Sequence, residues 1–208
     1  MLKEARVAVD SISISDPSYS VKEDEQITID GEVISVLGPG YFMLNKPDGV
    51  VCANSDALHP TVFDLLDEPH SDLHVAGRLD LDTTGLVLIT GDGQWSHRVT
   101  SPRHECTKIY LVSTNEFITE QMITKLEKGI FLEPEKVRTK PAKIELLRPD
   151  QMLLHITEGK YHQVKRMLHA VDNAVDQLHR VQIGNIRLDE QLAPGEYRPL
   201  TTTEINSV

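Results

Sequence analysis

Gly77-Arg78-Leu79-Asp80-Leu81-Asp82-Thr83-Thr84-Gly85, followed by the apolar run Leu86-Val87-Leu88-Ile89, decides how this chain is read. Just upstream and within it, Leu73, Val75, Leu79 and Leu81 alternate with His74, Arg78, Asp80 and Asp82. In an extended chain, side chains two apart share a face. The spacing therefore predicts a strand with its apolar residues turned to the core and Arg78, Asp80 and Asp82 on the other side. Two neighbouring carboxylates raise each other's pKa, and a guanidinium beside them opposes that shift. Such a cluster, anchored by a buried strand, suits a catalytic ledge. The same spacing also fits a solvated strand face carrying a local ion pair.

Outward from this stretch, the chain is an ordinary globular one. Its 208 residues suffice for one or two domains, and 39% of them are hydrophobic. No apolar run approaches the ~20 residues of a membrane span, and Lys3, Glu4, Arg6 and Asp10 leave no apolar leader at the N-terminus. A cytoplasmic protein without membrane contact is expected. Cys52 and Cys106 form no CxxC and lack metal-ligand spacing, so they read as reduced, buried or half-buried thiols. The nine histidines include no HExxH pair, and no metal site is expected.

The net charge of −11 disfavours nucleic acid only if it is spread evenly. It is not. Residues 1–40 hold eight acidic side chains against Lys3, Arg6 and Lys22. Residues 94–114 hold Arg98, Arg103 and Lys108 against Glu105, and residues 159–187 hold Lys160, Lys165, Arg166, Arg180 and Arg187 against Asp172 and Asp176. Local cationic segments in an acidic chain are what a confined anion site requires.

In chain order, residues 1–38 read as short strands with a turn at Asp30-Gly31, ending at the hinge Leu37-Gly38-Pro39-Gly40. Tyr41–Lys46 reads as a strand stopped by Pro47, which places Lys46 at an exposed strand end. Val50-Val51-Cys52 reads as a return strand, and Thr61 as the cap of a short helix through Leu66. Asp92 or Gly93 opens a helix through Val99, Lys108–Val112 is a strand, and Thr119 caps a helix ending near Gly129. In residues 159–172, Tyr161, Val164, Met167 or Leu168, and Val171 recur at helical spacing and should face the core. His162, Lys165, Arg166 and His169 fall on the opposite face. Cations near a helix start oppose the macrodipole, whereas the free N–H groups there attract phosphate.

Asn45-Lys46-Pro47, Gly77-Arg78-Leu79-Asp80 with Thr84-Gly85, Lys108-Ile109-Tyr110, and Gly159-Lys160-Tyr161-His162-Gln163-Val164-Lys165-Arg166-Met167 occur in the order found in the RsuA-type pseudouridine synthases. The block Leu178-His179-Arg180 with Ile183-Gly184 fits as well, and the resemblance covers about residues 39–205. It implies an α/β fold of the α+β type: a mixed, largely antiparallel sheet flanked by helices, with a central cleft. It also implies an isomerase that converts uridine to pseudouridine within RNA without a cofactor. Asp80 is then the catalytic carboxylate, as nucleophile or as base. Lys165 is its basic partner, with Arg166 as the alternative, and Tyr110 stacks on the target base. Lys46, Arg78, Gln163 and Arg166 would hold the flipped nucleotide, and Arg103, Lys108 and Arg180 would add RNA contacts. Two longer runs, Asp92–His104 and Leu192–Leu200, resemble the members acting on small-subunit rRNA. The expected partner is therefore 16S rRNA or a partly assembled small ribosomal subunit, bound by a monomer.

Residues 1–38 resemble only the later, β-rich part of the S4-like RNA-binding domain that precedes this catalytic domain, 39–208, in the family. Weaker RNA binding than in a relative with the whole S4-like domain is expected. Two other readings use the same residues. A non-catalytic RNA-binding or ribosome-assembly module would not require Asp80. A retaining glycoside hydrolase would need two carboxylates about 5–5.5 Å apart, which Asp80 and Asp82 could supply, but the scarcity of aromatics (5%) and the cationic helix argue for phosphate over sugar.

Overall fold

The computed structural model describes residues 2, 6–21, 25–34, 40–67, 71–101, 103–133 and 135–208. The chain forms two compact units, Met1–Gly38 and Pro39–Val208. In the first, β1 (Val7–Val9), β2 (Ile12–Ser13), β3 (Ile27–Ile29) and β4 (Glu32–Ile34) make an antiparallel sheet in the order β2-β1-β3-β4. The β3–β4 hairpin turns on Asp30-Gly31, both at positive φ (55° and 85°), as a two-residue Asp-Gly hairpin requires. Val36 and all of the expected hinge except Gly40 lie outside the described residues.

The second unit is built on a mixed sheet. Its strands are β5 (Tyr41–Lys46), β6 (His74–Val75), β7 (Thr84–Thr90), β8 (Lys108–Thr114), the separate pair β9 (Phe131–Leu132) and β10 (Val137–Arg138), then β11 (Lys143–Arg148), β12 (Gln151–Ile156), β13 (Val175–Ile183), β14 (Ile186–Arg187) and β15 (Tyr197–Pro199). The main order is β11-β12-β8-β13-β7-β5-β15, with β14 on β13 and β6 on β7. Every pairing is antiparallel except β13 with β7.

Helices cover the sheet on both faces. They are α1 (Gly93–Thr100), α2 (Glu120–Glu127), α3 (Gln163–His169) and α4 (Thr202–Ile205). One core gathers Val87, Ile89, Val112, Met152 and Leu154 from the sheet with Leu126 of α2 and Val164, Met167 and Leu168 of α3. The other gathers Met43, Leu86, Leu88 and Ile183 with Trp95 and Val99 of α1 and Ile205 of α4. The alternate residues of β7 thus serve two cores, which explains an unbroken apolar run where a half-buried strand would alternate.

The caps agree with local chemistry. Asp92 accepts from the backbone N–H of Gln94 and Trp95 to open α1, and Thr119 accepts from Met122 to open α2. Thr61 caps as expected, but the helix it opens is a single 3-10 turn, Val62–Leu65. The expected return strand Val50–Cys52 is reduced to one bridge between Val51 and Thr61.

Candidate active site

The opening motif is not a strand. Only His74–Val75 is extended against β7, and residues 77–83 form a loop between β6 and β7. Gly77 sits at φ +97° and breaks the ladder, and the Thr83 N–H closes a turn onto the Asp80 carbonyl at 3.1 Å. Leu79 is buried as the alternation requires, but Leu81 is exposed, so the alternation fails inside the motif.

Two buried cations hold this loop through its carbonyls. Lys46, expected at an exposed strand end, is 0% exposed. Its ammonium donates to the carbonyls of Pro47 (2.9 Å), Leu81 (2.9 Å) and Thr83 (2.8 Å). It is therefore a structural clamp and not a group that reaches a nucleotide. Burial pulls its pKa below the ordinary lysine value, opposed by the nearby Cys52, Asp48, Asp82 and Asp80. Arg180, 2% exposed, donates to the carbonyls of Leu86 (2.8 Å), Gly77 (2.7 Å) and Arg78 (3.4 Å) and to the Tyr110 hydroxyl (3.4 Å). The parallel β7–β13 crossing brings Arg180 there, with Arg180 opposite Gly85. A Cβ on Gly85 would lie 2.4 Å from the Arg180 carbonyl oxygen, and its φ is +99°. The glycine that ends the motif is thus required by a strand crossing.

The loop presents Asp80 to a cleft of about 590 Å³. Its carboxylate lies 3.5 Å from Lys165 Nζ and 3.5 Å from His162 Nε2. The Lys165 ammonium is shared with Asp82, 2.5 Å away, and this hydrogen bond holds the Asp82 carboxyl below the usual carboxylate range. Both motif carboxylates therefore converge on one lysine. Tyr110 projects from β8 into the same cleft, its ring 5.9 Å from the Arg180 guanidinium carbon. Lys108, two residues earlier on the same face of β8, is 6% exposed and also lines the cleft. Burial lowers its pKa, and neighbouring Arg180 adds to the effect. Neither Lys108 nor the exposed Arg78, which also lines the cleft, has a carboxylate partner among the described residues. Two cations remain available to an anion there.

Three further side chains expected to touch RNA are placed as follows. Arg166 faces away from Asp80: Glu135 engages its guanidinium, which also donates to the Tyr161 and Glu133 carbonyls. Gln163 lines the cleft, but its amide N–H donates to Glu158 and its oxygen accepts from the Lys160 N–H, so both ends are occupied. Arg103 lies on the loop after α1 and does not line the cleft.

His162 was not singled out in the sequence as a partner of Asp80. It precedes α3 in the left-handed region, at φ 46° and ψ 37°, with no side-chain capping bond. A non-glycine residue there is uncommon and marks a turn or a site. Its signal in the sequence is adjacency: it stands three residues before Lys165, within the run that supplies the cation. Because α3 begins only at Gln163, Tyr161 is not on the helix's apolar face as expected. It is 73% exposed and stacks on His162 with ring centroids 3.8 Å apart.

Among the described residues no group of three or more histidine, cysteine or acidic side chains is placed to hold a metal ion. Cys52 and Cys106 are free, and burial raises the pKa of both thiols. No helix among the described residues is long and apolar enough to cross a membrane.

The cleft thus joins a loop-borne carboxylate beside Lys165 to the Tyr110 ring and to the cations Lys108 and Arg78, which suits a polyanionic substrate handled by a carboxylate. The family model described as RNA pseudouridylate synthase matches residues 40–170, and the chain belongs to that family. Over 205 residues it is 53% identical to the ribosomal small subunit pseudouridine synthase A of Escherichia coli K12, covering 98% of this chain and 89% of that protein. It is 51% identical to the protein of the same name from Yersinia pestis, covering 100% of this chain and 89% of that protein. A crystal structure of a pseudouridylate synthase superposes with a TM-score of 0.79 at 46% identity, covering 99% of this chain and 90% of that one. The mixed, mostly antiparallel sheet is thus the pseudouridine synthase fold.

Proposed function

We propose that this protein isomerises a uridine of 16S rRNA to pseudouridine, in the cytoplasm, with Asp80 as the catalytic carboxylate. The reading rests on one observation above the others: Asp80 stands 3.5 Å from both Lys165 and His162, in a cleft that Tyr110 lines. In this reaction the N1–C1′ bond breaks, the base turns, and a C5–C1′ bond forms. The C5 proton leaves and N1 takes up a proton. The base must first leave its stack, at a cost of a few kcal/mol. The Tyr110 ring offers a new stacking surface worth about 1–3 kcal/mol. An ionised Asp80 serves either attack at C1′ or removal of a sugar proton, and the Lys165 ammonium 3.5 Å away is placed to orient it in both. Arg78 and Lys108 would meet the phosphates around the flipped nucleotide. Arg180 acts behind them, holding the loop and the Tyr110 hydroxyl.

Residues 1–38 would belong to an S4-like RNA-binding domain, and residues 39–208 would form the catalytic domain. Tritium release from 16S rRNA carrying 5-tritiated uridine tests the reading, with protein-free rRNA and partly assembled small subunits as parallel substrates. Release from either supports it. Silence from both, with rRNA bound, would replace it with a binding role.

A further inference from the structure

Tyr161 is the largest aromatic surface at the cleft that the reaction above leaves unused. It lines the cleft with Asp80 and Tyr110. One face of its ring is stacked on His162, at 18° between planes, while the residue remains 73% exposed, so the opposite face is open to solvent. Its backbone is fixed from behind, because the Tyr161 carbonyl accepts from Arg166 at 3.0 Å and Glu135 engages that guanidinium in turn. Arg166 and Gln163, both expected to touch nucleotide, thus build the support from which Tyr161 projects: the Gln163 side chain accepts from the Lys160 N–H at 2.8 Å and holds the turn before α3. The ring is a rigid, pre-positioned plate with few torsions to freeze on contact.

Withdrawing a uridine from a strand leaves its neighbours without one stacking partner. A plate at the rim of the cleft that receives the uridine is suited to replace that partner. We propose that Tyr161 stacks on an unpaired base adjacent to the target uridine, as a substrate-positioning residue of the RNA path. The inference rests on the RNA-modifying reading above. It assigns Tyr161 to binding and not to the chemical step, and aromaticity, not hydroxyl chemistry, is the property used.

The test compares wild type with Tyr161→Phe, Tyr161→Trp, Tyr161→Leu and Tyr161→Ala. Two quantities are measured at one fixed salt concentration: the Kd for 16S rRNA by filter binding, and KM and kcat by tritium release. Stacking predicts that Phe and Trp keep Kd and KM within about twofold, whereas Leu and Ala raise both about 5- to 100-fold with kcat little changed. In a separate salt titration, the slope of log Kd against log salt should be the same in all variants, since no phosphate contact is lost. Unchanged Kd in Tyr161→Ala overturns the inference. So does full rescue by Leu, or a fall in kcat alone, which would mean that the ring only supports His162. If wild type binds but releases no tritium, the reading of the reaction fails, and filter binding still decides the role of Tyr161.

Discussion

Replacing Lys46 by methionine removes an ammonium while nearly conserving volume, and it should loosen the loop that carries Asp80. The three carbonyls that Lys46 serves, on Pro47, Leu81 and Thr83, lose that donor, and of these the Leu81 carbonyl retains the Gly49 N–H at 3.1 Å. A hydrogen bond to a charged group is worth about 1.5–3 kcal/mol net, so three set a ceiling of about 5–9 kcal/mol. Against this, methionine recovers the cost of burying the ammonium, which is several kcal/mol and is the first cause of its lowered pKa. The difference is about 2–4 kcal/mol, or a fall in Tm of about 5–15 °C for a unit of this size. Urea unfolding followed by fluorescence of the sole tryptophan, Trp95, reads the first quantity, and single-turnover tritium release reads the loss of a held Asp80. A pH series adds an independent check. The folded-state pKa of Lys46 lies below its ordinary 10.5, so between the two values the unfolded chain binds more protons and stability rises with pH. The gap between wild type and variant should widen as pH climbs toward 10.5. A variant within about 0.5 kcal/mol of wild type, with unchanged turnover, would refute the clamp.

Three other perturbations probe the same geometry. Gly85→Ala places a methyl 2.4 Å from the Arg180 carbonyl at φ +99° and should cost about 3–5 kcal/mol in urea unfolding; a loss under 1 kcal/mol would mean that the strand crossing adapts. Glu204 is held at a pKa of about 2 by Arg198, which it meets with both oxygens at 2.9 Å. Its depressed pKa stabilises the fold fully above about 4.5 and not at all below about 2, so Glu204→Gln should cost at most about 3 kcal/mol at pH 7, with the gap closing through that acid window; a gap independent of pH would contradict the pairing. His162→Ala should lower kcat at pH 7 about tenfold while leaving Kd for rRNA within twofold, as expected of a group that positions Asp80; equal kcat would remove it from the site.

The parts of this fold legible in the sequence are those written in short-range chemistry. The caps Asp92 and Thr119, the Asp30-Gly31 turn and the helical spacing of Val164, Met167 and Leu168 all depend on neighbours within a few residues. The convergence of Asp80 with Lys165 came from the resemblance and not from spacing, because 85 residues separate them. What stayed hidden depends on where charge is buried. Nothing local marks Lys46 as enclosed, since two of the three carbonyls that solvate it, those of Leu81 and Thr83, belong to a loop 35 and 37 residues onward. The alternation through Leu79 and Leu81 gives way for the same reason: the carbonyls of Gly77, Arg78, Leu81 and Thr83 accept from Arg180 and Lys46 in place of a neighbouring strand. The basic run Lys160–Arg166 looked uniform, yet Glu158 and Glu135 neutralise two of its cations and leave Lys165 for the carboxylates.

The most direct test replaces Asp80 by asparagine, which keeps the shape of the side chain and removes its charge. Tritium release from 5-tritiated uridine in 16S rRNA, measured beside wild type with Kd determined on the same rRNA, should fall below detection while Kd stays within a few-fold. Release by Asp80→Asn at a rate near that of wild type would contradict the assignment of Asp80 and, with it, the account of why the loop is clamped.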